Sequence, residues 1–272
     1  MVIYYINYEG INCSVFESQI YTYCNLLNIN NIKVTLINFE TNIDSEQYKD
    51  RIKAYSSYNN LRIISIEKNK KFDFIINKKS INQVTKLINE ETLSNENIII
   101  HGRGILGSFI GLKVRKNLIK QYNIKVISDF RGAVVDEYLL KHKNKGILFK
   151  IILKILIVKI NSIQSKVCKN SDSILCLSKK SEEYLKNRYT INCRVSIIPA
   201  CIDAYKSRAN IDEIIKKRNE MNLENRFVAQ NCCGAWSSKN PKELKENFKV
   251  LVYNYYERQK NIKTIISIYD EI

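Results

Sequence analysis

Short runs of β-branched and aromatic residues alternate with helix-length segments along this chain, and the alternation constrains its fold more than any other feature. The pattern predicts strands at 2–6, 33–39, 61–66, 97–100, 124–129, 173–177 and 194–198. It predicts helices at 14–28, 45–58, 81–91, 106–121, 134–142 and 147–169, and one more that begins at Ser178. Such alternation indicates an α/β fold built on a doubly wound parallel sheet.

The alternation starts again after Cys201, where we place a domain boundary. Beyond it the sequence predicts helices at 211–221 and 241–256 and strands at 226–230 and 264–268, and the chain reaches Ile272. A unit of ~70 residues buries too little apolar surface to close such a core alone. We therefore expect a Rossmann-like N-terminal domain at 1–201 and an incomplete second Rossmann-like domain at 202–272.

The net charge of +17 favours an anionic partner, which can be a nucleic acid, an anionic membrane or a phosphorylated ligand. Asn, Ile, Lys and Tyr are abundant throughout, so codon composition explains part of the Lys excess. The sequence has no zinc finger, no basic helix with base-reading spacing and no aromatic RNA-binding signature, which disfavours a nucleic-acid-binding protein.

The cysteines and the N-terminus indicate a cytoplasmic protein. None of the eight cysteines has the spacing of a zinc or redox pair, so we expect free thiols and no metal site. The chain opens directly into a strand-like run, without the basic segment or cleavage site of a secretory signal. A reducing cytoplasm fits both observations.

Glycines and polar residues stand out where predicted strands end. After the first, fourth, fifth and sixth strands these residues are Gly10, His101, Arg103, Asp129, Arg131 and Ser178. Ligands of an open parallel sheet bind outside the carboxyl ends of its strands, so the loops predict a binding site. Polar loops occur at this edge of any such sheet, which accounts for part of the pattern.

His101 has two interpretations. As a strand-end imidazole it can accept a proton or orient a hydroxyl group, and it can equally be a structural histidine. The neighbouring Gly102-Arg103-Gly104 segment, expected as a loop, supports the functional interpretation. Glycine lets the backbone approach a ligand closely, and the N-terminus of the following helix attracts anions.

Asp129, Arg131, Asp136 and Glu137 place three carboxylates and a guanidinium within nine residues. Such a run forms a solvated face or a structural ion pair in many proteins. Directly after a buried strand, Arg131 can instead bind a phosphate or a sugar hydroxyl. The residues alone leave both interpretations open.

The segment Val126-Ile-Ser-Asp129-Phe-Arg131-Gly132-Ala-Val-Val-Asp136-Glu137 resembles the D-x-R-G-x-x-x-D-E segment of family-four-like glycosyltransferases, which include many capsule and surface-polysaccharide enzymes. Further similarities follow the family's order: Glu17 and Gln19 in the first helix, His101-x-Arg103, Asp172 to Ser178, and Ile197 to Asp203. Phe227 to Gly234, with Trp236, resembles the opening strand and loop of the family's second domain.

The resemblance implies a metal-independent, retaining transferase of the two-Rossmann-domain (GT-B) type. Such an enzyme transfers a sugar from a nucleotide sugar, its co-substrate, to a polysaccharide or lipid-linked acceptor, and it uses no cofactor. The implied catalytic residues are His101, Arg131 and Glu137. The implied substrate-binding residues are Gly10, Glu17, Gln19, Arg103, Asp129, Asp136 and Ser178.

The family's donor-binding basic pair and E-x7-E segment have no counterpart after Trp236. We therefore expect a chain truncated in its donor-side domain. Three alternatives follow: an active transferase, an inactive remnant, and an acceptor-binding subunit that needs a partner chain.

The run 147–159 is apolar but interrupted by Lys150, Lys154 and Lys159, and it is shorter than the ~20 apolar residues of a bilayer span. Lys150 and Lys154 share a helix face, so the helix can rest on an anionic membrane. It can equally be a core helix whose lysines extend to the solvent. A lipid-linked acceptor would suit peripheral attachment at the inner face of the plasma membrane.

Overall fold

The computed structural model describes residues 1–13, 15–59, 61–68, 78–93, 96–142, 146–199, 219–220, 227–231 and 234–238. Seven strands form its main sheet: β1 (Val2–Asn7), β2 (Lys33–Glu40), β3 (Arg62–Glu67), β4 (Ile98–Arg103), β5 (Ile124–Phe130), β6 (Ser173–Cys176) and β7 (Arg194–Ile197). All pairings are parallel, in the order β3-β2-β1-β4-β5-β6-β7. The predicted α/β doubly wound sheet is confirmed.

Seven α-helices connect or flank these strands: α1 (Thr22–Ile29), α2 (Glu46–Asn59), α3 (Lys78–Glu91), α4 (Gly104–Leu118), α5 (Val134–Lys141), α6 (Ile147–Asn170) and α7 (Lys179–Arg188). A π-helical segment, Phe16–Tyr21, precedes α1. Its N-cap is Val15, without a side-chain capping hydrogen bond. The helix predicted at 14–28 therefore begins with a π-helical turn before it continues as α1, and residue 14 lies outside the described residues.

Each face of the sheet has its own hydrophobic core, because alternate residues of a strand point to opposite faces. On one face Ile6 packs with Ile110 of α4 and Ile160 of α6. On the other face Tyr5 packs with Leu27 of α1. Helices on both faces leave the sheet's carboxyl edge as the place where loops can form a site.

Helix α4 lies unusually close to the strands because glycines occupy the contact. A Cβ atom on Gly102 would collide with the backbone of Ser108, and one on Gly107 would lie 2.6 Å from the carbonyl oxygen of Ile6. A Cβ atom on Gly111 would lie 2.8 Å from Ile100. The absence of side chains at these positions lets α4 start directly against the ends of β1 and β4.

The segment 102–104 is not the loop expected from the sequence. Strand β4 continues through Arg103, and α4 begins at the next residue, Gly104, whose φ of +64° makes the sharp change of direction. The side chain of Arg103 is held by partners on neighbouring segments, which keeps this residue in the strand. His101 consequently lies within the sheet.

In the second predicted domain the structure describes an antiparallel strand pair, β8 (Phe227–Asn231) and β9 (Gly234–Ser238). The predicted strand at 226–230 is confirmed, whereas Trp236 lies in β9 rather than in a loop. The predicted elements 241–256 and 264–268, most of 211–221 and the boundary at Cys201 lie outside the described residues. The domain division stays a prediction.

Candidate active-site cleft

A cleft of about 400 Å³ opens at the carboxyl ends of β1, β4 and β5. The order of the sheet places β1 between β2 and β4, so the chain turns in opposite directions on the two sides of β1. Ligands of doubly wound sheets bind at this reversal. The polar residues that line the cleft are Tyr8, Glu9, Lys68, Arg103, Arg131, Glu137 and Tyr138.

The loop after β1 is held by a buried carboxylate of β2. Glu40 accepts hydrogen bonds from the backbone N–H groups of Ile11, at 3.0 Å, and Thr41, at 2.9 Å. Gly10 has a φ of +88°, and a Cβ atom there would lie 2.6 Å from the carboxylate of Glu40. Gly10 shapes the loop, while its neighbour Glu9 lines the cleft.

Arg103 crosses the floor of the cleft with a side chain that is 2% exposed. Its Nε donates to Glu9 at 3.2 Å, and its Nη2 donates to Gln19 at 3.0 Å. The structure thus brings together two predicted substrate-binding residues, Arg103 and Gln19. Glu17 lies on the same π-helical segment as Gln19 but is exposed and does not line the cleft.

Asp129 joins His101 and Arg131 into a buried network. Its Oδ2 atom accepts a hydrogen bond from Arg131 Nε at 2.8 Å, forms an ion pair with Arg131 Nη2 at 2.6 Å, and lies 3.6 Å from His101 Nε2. Burial alone would raise the pKa of Asp129, but the guanidinium of Arg131 and then the imidazole of His101 hold it well below its ordinary value. Asp129 is therefore a buried carboxylate that stays ionised.

His101 is neutral and lies beneath the cleft. Burial lowers its pKa despite the opposing effect of Asp129, and its ring lies against those of Tyr5 and Tyr23, at centroid distances of 4.6 and 5.5 Å. At 1% exposure the imidazole reaches the cleft only through Asp129 and Arg131. His101 thus lies beside Asp129 and not among the residues that line the cleft, and its role in binding or catalysis stays a prediction.

Glu137, in the first turn of α5, lies at the mouth of the cleft. Its carboxylate packs against Gly132, and a Cβ atom at that position would collide with it. Glu137 is exposed, so a ligand can approach it from the solvent. Of the three expected catalytic residues, Arg131 and Glu137 therefore line the cleft and His101 does not.

Two predicted substrate-binding residues have other contacts. Asp136 forms an ion pair with Arg188 of α7 at 3.2 Å and points away from the cleft lining. Ser178 is the N-cap of α7, where its Oγ accepts from the N–H of Ser181 at 3.2 Å. Asp136 and Ser178 thus lie outside the cleft.

Sequence analysis missed Lys68, Glu9, Tyr8 and Tyr138. Lys68 directly follows β3, and its Nζ donates to the carbonyl oxygen of Tyr8 at 2.6 Å. Applying the strand-end argument to the third strand would have found Lys68. Tyr138 follows the recognised Asp136-Glu137 pair, but nothing in the sequence marks it as a cleft residue.

In the described part of the chain no cluster of three His, Cys, Asp or Glu side chains is arranged to hold a metal ion. Within the same residues, no helix has the length and apolar character that a membrane span requires.

No protein-family model matches this sequence, and no curated protein is detectably similar to it. Solved structures do resemble the fold. HepE from Anabaena, in complex with UDP and glucose, aligns with a TM-score of 0.54 and 9% identity over 98% of this chain and 65% of its own. A sucrose-phosphate synthase from Thermosynechococcus elongatus aligns with a TM-score of 0.54 and 12% identity over 83% of this chain and 53% of its own.

A glycosyltransferase from Rickettsia africae is also similar, with a TM-score of 0.49 and 15% identity over 82% of this chain and 49% of its own. The chain thus spans about half the length of two of these three proteins. At such identities the likeness to HepE and to the sucrose-phosphate synthase shows the fold alone, which is a Rossmann-like α/β fold.

Proposed function

We propose that this protein acts in glycosyl transfer from a nucleotide sugar, with the described domain on the acceptor side. The observation that carries the proposal is the cleft at the chain reversal, where Arg103, Arg131 and Glu137 meet. The fold supports it, because the similar HepE structure contains UDP and glucose. The resemblance of 126–137 to the glycosyltransferase segment supports it independently.

The charges of the cleft suit a transfer that generates a nucleoside diphosphate. Lys68, Arg103 and Arg131 bring three cations to the lining. Fixed cations stabilise the negative charge that develops on a departing diphosphate. Glu137 is an exposed carboxylate that can orient the acceptor hydroxyl, Glu9 is paired with Arg103, and the buried Asp129 holds Arg131 in place.

The finer parts of the proposal follow the sequence resemblance. They are retention at the anomeric carbon, membership of the family-four-like group, and a polysaccharide or lipid-linked acceptor. The division into an acceptor-side domain at 1–201 and a donor-side domain from 202 belongs to the same proposal. So does a cytoplasmic location.

The test is turnover of labelled nucleotide sugars by the full chain with a membrane extract as the acceptor source. Glu137→Gln is the informative variant because the side chain is exposed, so the fold tolerates the change. We expect roughly 100-fold slower transfer, because the neutral amide holds the acceptor hydroxyl less firmly than the carboxylate and leaves it misplaced. Glu183→Gln on α7, also exposed, is the matched control and should retain full activity.

Arg131→Ala tests the cation, with circular dichroism to verify the fold. Arg62→Ala is its control and should retain activity. Arg62 is the first residue of β3 and lies at the amino ends of the strands, whereas the cleft lies at their carboxyl ends. Turnover that is unaffected by Glu137→Gln and by a folded Arg131→Ala would refute the site. Ligand binding without turnover of any nucleotide sugar would refute transfer and leave an acceptor-binding role.

A further inference from the structure

The surface of α5 and of the first half of α6 is unusually apolar. Six large aliphatic side chains there are 46–74% exposed: Leu139, Leu140, Ile151, Ile152, Ile155 and Val158. Soluble proteins rarely expose large contiguous apolar patches unless these bind something. We call these six side chains the apolar face.

The apolar face has no role in the core. Helix α6 packs on the domain through Leu153, Ile160 and Ile163, which are buried. Ile151, Ile155 and Val158 follow one another at spacings of four and three residues and occupy the opposite side of the helix. The helix is therefore apolar on two sides. Packing against the core explains the buried side but not the exposed one.

Lysines flank the apolar face. Lys150, Lys154 and Lys159 are exposed, and α6 contains no acidic residue. In the part of the chain that the structure describes, none of the three forms an ion pair with a carboxylate. An exposed apolar stripe bordered by lysines has the composition of helices that lie in the headgroup region of anionic membranes.

We infer that the apolar face docks on the surface of an anionic lipid bilayer. The aliphatic side chains of α6 enter the boundary between headgroups and acyl chains, and Lys150, Lys154 and Lys159 bind the lipid phosphates. An open hollow of about 530 Å³ between α5 and α6, lined by Leu139, Leu140 and Leu153, adjoins this face. Charge complementarity selects this partner over an uncharged or a basic protein surface.

Docking at this face would also define the acceptor. Helix α5 lines the cleft with Val134, Glu137 and Tyr138 and carries Leu139 and Leu140 of the apolar face. Its eight residues span about 12 Å. An acceptor whose lipid carrier stays in the bilayer can therefore reach Glu137, so we assign a lipid-linked acceptor. This assignment, unlike the docking itself, rests on the proposed glycosyl transfer.

The experiment is co-sedimentation of the full chain with vesicles of phosphatidylcholine alone and of equal parts phosphatidylcholine and phosphatidylglycerol. We expect binding to the mixed vesicles, weakened by added salt, and little binding to phosphatidylcholine alone. The double variant Ile151→Asp, Ile155→Asp should bind at least tenfold more weakly. Its control is Ile29→Asp, Ile119→Asp, because these two side chains are similarly exposed elsewhere, at 61% and 58%.

A second double variant, Lys150→Gln, Lys154→Gln, should abolish the preference for phosphatidylglycerol. Equal binding by both aspartate variants, or absence of binding to either vesicle, would overturn the docking. The protein could instead form a dimer in size-exclusion chromatography that Ile151→Asp, Ile155→Asp dissociates and Ile29→Asp, Ile119→Asp does not. That result would assign the apolar face to contact with a second copy of the chain and overturn the membrane docking.

The assay separates this inference from the proposed function because vesicle binding requires no nucleotide sugar. Vesicle binding without any sugar transfer would leave the docking intact and refute the function. Transfer to a soluble acceptor without vesicle binding would support the function and refute the docking.

Discussion

Replacement of Asp129 by asparagine tests the buried network beneath the cleft. The carboxylate is 3% exposed, accepts a hydrogen bond from Arg131 Nε at 2.8 Å and forms an ion pair with Arg131 Nη2 at 2.6 Å. Asparagine keeps the shape of the side chain but removes its charge. The guanidinium of Arg131 is then left in a largely enclosed position without a counter-charge.

The expected loss of stability follows from the burial of the pair. Removing one partner of a buried ion pair costs about 3–5 kcal/mol. The side chain of Arg131 is 17% exposed, so water recovers part of this cost. The asparagine oxygen still accepts one hydrogen bond, worth about 1 kcal/mol. We expect Asp129→Asn to lower the free energy of unfolding by about 2–4 kcal/mol.

Urea unfolding followed by far-UV circular dichroism measures this loss. With a slope of about 2 kcal/mol per molar urea, the midpoint should fall by about 1–2 M. Asp136→Asn is the matched control, because its partner Arg188 and the carboxylate itself are 44% and 43% exposed. That change should cost less than about 1 kcal/mol. Equal midpoints for the two variants would refute the buried network.

Three further outcomes are expected. Stability should fall between pH 7 and 5, since the buried neutral His101 takes up a proton only on unfolding; His101→Gln should flatten that slope in pH-dependent urea titrations. Gly10→Ala, strained at φ +88° and crowded by Glu40, should lower the thermal midpoint more than Gly146→Ala, where a Cβ meets open space. Ser178→Ala should cost about 1 kcal/mol in urea and leave ligand affinity unchanged, as for a helix cap; weaker ligand binding would contradict this.

The sheet was predictable because its strands are short segments rich in β-branched and aromatic residues, separated by segments of helix length. Residues 2–6 and 124–129 illustrate this, and the observed strands exceed them by only one residue each. The parallel arrangement followed from helix-length connections, since parallel neighbours require crossovers. Local pattern and tertiary structure agree in these segments.

The site was predictable only where a strand-end residue also faces the cleft. Arg103 and Arg131 satisfy both conditions, whereas Ser178 follows a strand but caps a helix. Glu137 lies in α5 and was indicated only by the sequence resemblance. Whether His101 is exposed depends on Tyr5 and Tyr23, which are distant in sequence. Periodicity carries no information about such contacts, so its burial could not be read from the sequence.

The glycine contacts of α4 have a consequence for the evolution of this fold. At Gly102 and Gly107 the obstacle to a larger residue is backbone, which cannot move aside as a side chain can. Substitution there is limited by geometry and not by chemistry. A distant relative that changes its ligand, and with it every charged residue of the cleft, would still need these two positions empty to keep α4 against β1 and β4.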